Sequence, residues 1–101
     1  MFLFLAPAQA QSIHLLGFVD KLCTQAQYCF QLSVKPEYLG ALEERIEVRF
    51  DGKTLIFDPE NYELTLAQQN IVPGSHLRLL IERLPGDVNG GHRASHIWIG
   101  D

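Results

Sequence analysis

The stretch CTQAQYC holds the chain's two cysteines, Cys23 and Cys29, with five residues between them. A pair at this spacing can form a disulfide, stay as buried thiols, or take part in a metal or redox site. A redox couple is usually C-x-x-C, and that spacing is absent. A zinc site asks for a second ligand pair at matched spacing, and there is no further cysteine pair. The spacing suits a bridge across the base of a short loop. In an oxidising compartment the expectation is a Cys23–Cys29 disulfide.

Four histidines come next. His92 and His96 stand four apart, which would be metal spacing on a helix. Here one falls in a glycine-rich loop and the other in a strand pattern, which separates them. His14 and His76 sit in two further strand patterns. The expectation is exposed structural histidines and no metal site. A small metal-handling protein using His14, His76, His92 or His96 is the alternative. No G-x-S-x-G or comparable nucleophile signature occurs. The carboxylates Glu47, Asp51 and Asp58 fall on a wet strand face or at turns, where solvation accounts for them. Glycine patterns that cradle phosphate are absent. No catalytic residue and no cofactor is expected, and the chain is read as not an enzyme.

Eight basic residues stand against twelve acidic ones in 101 residues, a net charge of −4. A nucleic-acid binder needs a basic stripe to neutralise phosphates, so that class is disfavoured, as is docking on an anionic membrane. No apolar run approaches the roughly 20 residues that span a bilayer. At the N-terminus, MFLFLAPAQAQS joins a short apolar run to the small-x-small pattern Ala8-Gln9-Ala10, which reads as the end of a secretory signal peptide. Residues 1–10 are therefore expected to be removed, leaving 11–101 as one domain in a bacterial periplasm or outside the cell.

Strand patterns must position these residues. Ser12 to Leu22 is a strand, with Gly17 marking a bulge or bend. Tyr28 to Val34 alternates, with Tyr28, Phe30, Leu32 and Val34 on one face and Cys29, Gln31 and Ser33 on the other. The two strands form a hairpin closed by the cysteines. Pro36 to Glu44 is a short helix or an ordered loop. Ile46, Val48 and Phe50 alternate with Glu47 and Arg49. Asp51-Gly52 is a turn signal, after which Thr54 to Phe57 returns as a short strand. Asn61 to Ile71 reads as a short helix capped by Asn61. His76 to Leu84 is a strand with Leu77, Leu79 and Ile81 inward. Pro85 to Ala94 is a loop. Ser95 to Asp101 is a last strand with Ile97 and Ile99 opposite His96 and Trp98. Five strands with a helix between the third and fourth is the order of the OB-fold, a small Greek-key barrel.

The segments IHLLGFVDKL, QYCFQLSV, RIEVRFD, IVPGSHLRLLIE and HIWIG resemble the pattern of OB-fold domains. They are similar in particular to the small bacterial periplasmic OB-fold family, over roughly Ser12 to Gly100. The resemblance implies a binding module without a catalytic centre. VRFDGKTL and LTLAQQNIVPGSHLRLLIERL are also similar to the second half of ubiquitin-like β-grasp domains. A cytosolic β-grasp interaction domain therefore stays open as an alternative.

On the OB-like arrangement, the ligand surface is the open face of strands two and three with its flanking loops. That face offers Gln31, Ser33, Glu47 and Arg49. The loops add Gln25, Gln27, His92 and Arg93, with Trp98 close by. The surface is polar and mixed in charge, without the stacking aromatics and lysines of a nucleic-acid platform. The expected partner is a protein, a peptide or a glycan, anchored on Trp98.

Overall fold

A computed structural model describes residues 12–24, 26–35, 45–83 and 92–100. The readings made for residues 1–10, for Gln25 and for Pro36 to Glu44 lie outside them. Seven strands follow in order: β1 (Ser12–Leu22), β2 (Cys29–Val34), β3 (Arg45–Arg49), β4 (Leu55–Phe57), β5 (Glu63–Leu64), β6 (His76–Arg83) and β7 (His92–Ile99). Their lateral order is β3-β2-β1-β6-β7-β4-β5, and β3 also pairs with β7. That last pairing closes β1, β2, β3, β7 and β6 into a five-stranded barrel. Every contact round the ring is antiparallel except β3–β7, which is parallel. The architecture is an OB-like barrel, and the β-grasp alternative is set aside.

Alternation along each strand builds the core. Leu15 and Val19, Phe30 and Leu32, Ile46 and Val48, Leu77, Leu79 and Ile81, and Ile97 all point inward and are buried. β1 serves both halves of the barrel. It pairs with β6 from Ser12 to Phe18 and with β2 from Gly17 to Leu22. The expected glycine device is present in a modified form. The register shift lies between Val19 and Lys21, two residues past the glycine. Gly17 itself is buried where β1 passes β2, and a Cβ there would collide with the Ser33 carbonyl oxygen.

Two local expectations are corrected. Thr54 to Phe57 does not fold back as a hairpin. After a turn at Asp51–Thr54, the chain continues beside the same neighbour, so β3 and β4 both run parallel to β7. The buried Thr54 hydroxyl fixes this course. It donates to the Ala94 carbonyl at 2.7 Å and accepts from the Asp51 amide at 3.0 Å.

The helix expected over Asn61 to Ile71 is not formed. Asn61 takes a left-handed φ of 69°, and Tyr62 is 67% exposed, so the apolar spacing of the segment is not used as a helical stripe. Thr65 and Gln68 do make a reciprocal capping pair, with Gln68 Oε1 accepting from Thr65 N and Thr65 Oγ1 from Gln68 N. Only one turn follows it. Gln69 Oε1 takes the Ile71 amide at 2.8 Å, and Pro73 disfavours helical geometry at Val72.

Candidate functional site

The barrel surface is built from strand residues that alternate with the core, so the register decides which side chains meet. On β2 and β3 the outward positions Gln31 and Glu47 are direct partners, and Cys29 faces Arg49. Ser33 lies between Phe18 of β1 and Arg45 of β3. Arg49 is in turn the register partner of Arg93 across the parallel seam. Gln31, Ser33, Glu47, Arg49 and Arg93 thus form one continuous polar band; Arg93, expected in the Pro85 to Ala94 loop, belongs to β7.

The charges of this band are already compensated. Arg49 donates to Glu47 at 3.1 Å, and Arg45 sits 3.4 Å from Asp20. Arg93 grips Asp51 with two hydrogen bonds of 2.8 Å and lies 3.7 Å from Glu82. The hydrogen bonds from Arg93 hold the Asp51 carboxyl at a pKa of about 2, below its ordinary 3.8. The same pairing pushes the Arg93 guanidinium further up. Lys53 N–H donates to Asp51 Oδ1 as well, so the clasp ties the turn after β3 to the start of β7.

His92 is corrected. It was expected on a surface loop, but it opens β7 and is 6% exposed. The cause is a register irregularity, in which Leu80 pairs with His96 and Ile81 with Ala94. Ser95 is the extra residue. It reverses the in–out parity of the strand, so His92 and Ala94 point inward before it and Ile97 after it. Trp98 is also displaced from the polar band. It stands five residues beyond Arg93 on β7, about 17 Å along the strand at ~3.3 Å per residue.

The loop between β1 and β2 is closed as expected. Cys23 and Cys29 form a disulfide with their Cα atoms 5.3 Å apart, and Cys23 N–H donates to the Cys29 carbonyl. Among the described residues, Cys23, Cys29 and Glu47 are the group close enough to share an ion, but both sulfurs are spent in the bridge. His14, His76 and His96 lie on three different strands and join no such group.

A second surface assembles at the other end of β7, away from strands two and three. Register places Leu16 of β1 opposite Arg78 of β6, Arg78 opposite Trp98 of β7, and Trp98 opposite Phe57 of β4. Lys35 N–H donates to the Leu16 carbonyl at 3.0 Å, which adds Lys35 to the row on its far side. The sequence neighbours of the strand residues, Leu15, Leu77, Ile97 and Ile56, are buried in the core, so the row itself faces outward.

Trp98 stacks on Phe57 with ring centroids 5.8 Å apart and on His96 at 5.6 Å, which makes a rigid aromatic wall. Beside it is a groove of about 430 Å³, lined by Lys35, Arg78, Trp98, Asp58 and Asn61 among others. Its rim is ordered by Asp58, whose Oδ1 accepts from both the Glu60 and Tyr62 amides at 2.9 Å. Gly100 shuts the end, with its N–H donating to the His76 carbonyl. Among the described residues, neither Lys35 nor Arg78 has an ion-pair partner.

Compared with protein-family models, with curated proteins and with solved structures, the chain matches none of them.

Proposed function

We propose that the protein is an exported, non-catalytic binding module, an OB-like barrel akin to the small bacterial periplasmic OB-fold family. Its partner is a protein, peptide or glycan, and its contact surface is the groove beside Trp98. The observation that carries this is the contrast between the two surfaces. Cations on the β2–β3 band are matched by their own carboxylates, so a ligand there would have to break existing pairs. Lys35 and Arg78 flank Leu16 without a carboxylate partner among the described residues, next to an aromatic wall that is already rigid. Pre-ordered groups bind at lower entropic cost than groups that must be immobilised. The groove volume lies in the range of small-ligand sites. Export is supported by the disulfide, which persists in oxidising compartments.

The test is amide and indole NMR while soluble peptides and oligosaccharides are added in turn. Perturbations clustered at Lys35, Arg78, Trp98 and Gly100 are expected. Perturbations clustered at Gln31, Ser33, Glu47 and Arg49 would return the contact surface to the polar band. Release of a cleaved or altered probe would remove the non-catalytic assignment. An intact mass of the protein from its own host should begin at Gln11 and be two hydrogens short. A full-length, reduced chain would overturn the export assignment.

A further inference from the structure

We infer that the Trp98 groove takes an acidic saccharide, a hexuronate unit of a glycan, with the sugar carboxylate held between Lys35 and Arg78; this rests on the binding role proposed above. Three features of the groove each match a part of such a ring.

The first is charge. Lys35 and Arg78 come from either side of Leu16, so their backbones are about two strand spacings apart, roughly 10 Å. Both are long side chains, and both can reach a single carboxylate placed over Leu16. A guanidinium grips it bidentately, and an ammonium adds a point charge. Of the charged side chains lining the groove, two are cations and one, Asp58 on the rim, is a carboxylate, on a chain of net charge −4.

The second is the aromatic wall. A pyranose ring presents a flat patch of C–H groups. The indole of Trp98, stacked against Phe57 and His96, contributes an apolar aromatic body to the groove lining. An extended peptide would gain more from a sheet edge than from this wall, and the strands lining the groove are paired on both sides: β1 with β2 and β6, β6 with β1 and β7, and β7 with β6 and β4.

The third is the polar rim. Asp58 spends Oδ1 on two backbone amides, which orients the carboxylate and leaves Oδ2 toward acceptance of a hydroxyl. The Asn61 amide lies beside it in the same lining and can both donate and accept. Vicinal sugar hydroxyls need this mixture, whereas a simple aliphatic carboxylate would leave it unused.

The experiment is a titration of the disulfide-intact protein with trigalacturonate, with galactotriose as the uncharged probe of equal size and with a short acidic peptide. Trp98, the single tryptophan of the chain, is read by fluorescence and by its indole N–H signal. Saturable binding of trigalacturonate, weakening at high salt, with galactotriose at least about tenfold weaker, is the expected result. Arg78→Gln should weaken trigalacturonate about tenfold while leaving the thermal midpoint near that of the wild type. Lys35→Gln, at an exposed position past the end of β2, serves if Arg78→Gln does not fold. Equal binding of galactotriose would overturn the acidic class. A groove that responds to the acidic peptide but not to trigalacturonate would overturn the saccharide class and leave the binding module standing. A groove silent to every probe would overturn the acidic-saccharide assignment.

Discussion

Asp51 shows how one side chain can tie together strands that are distant in sequence. Its carboxylate binds Arg93 twice and the Lys53 amide once, and it starts the turn that Thr54 anchors to Ala94. Its pKa is depressed from 3.8 to about 2, chiefly by the Arg93 hydrogen bonds. A depressed carboxyl contributes stability that is present above the unfolded value, near pH 4, and is lost as pH falls through about 2. Asp51→Asn should therefore melt below the wild type at neutral pH, with the gap closing between pH 4 and pH 2. Thermal melts of both proteins across that interval check it; a gap independent of pH would show that the clasp acts through shape alone. His92 and Trp98 were harder to place from sequence. Their strand is easily recognised, but the extra residue at Ser95 leaves no compositional mark, and it alone decides that His92 faces the core while His96 faces out.

At the scale of elements, the hairpin of β1 and β2 was legible because its signals agree. The alternation from Phe30 to Val34 fixes the inward face, and the cysteines lie at its mouth. Closing so short a loop should add only about 2 kcal/mol. Cys23→Ser should lower the unfolding free energy by that much, and the denaturant midpoint with it, while keeping the native far-UV spectrum; complete loss of the fold would assign the cysteines a larger task. The Asn61 to Ile71 segment misleads for a physical reason. It carries a helix cap and apolar spacing, but the capping pair forms at Thr65 and Gln68, leaving room for a single turn before Pro73. The Asp51-Gly52 signal misleads similarly. A turn does form, but the direction in which the chain leaves it depends on the seam with β7, which no local motif encodes.

Over the whole molecule, the described core is one cluster drawn from every strand of the barrel, with Phe30, Leu32, Leu79 and Ile97 fully buried. A single core of this size should unfold as one unit. Trp98 fluorescence, reporting on the β4–β7 side, and far-UV circular dichroism, reporting on all strands, should give the same midpoint in urea; separated midpoints would mean that β4 and β5 detach first. The barrel order could be read from strand count and turn placement. The location of the groove could not. Its row draws on β1, β4, β6 and β7 and on Lys35, residues that are brought level only by register across four pairings.

The parallel seam between β3 and β7 has a consequence in time. Every other pairing in the ring joins antiparallel neighbours, but the ring closes only when the last described strand meets the third, more than forty residues earlier. A chain emerging in order from N-terminus to C-terminus can form the β1–β2–β3 meander, yet it has nothing to shut it until β7 arrives. Contacts of such long reach slow the search for the native state. The barrel should thus stay open until β7 has been made and can meet β3.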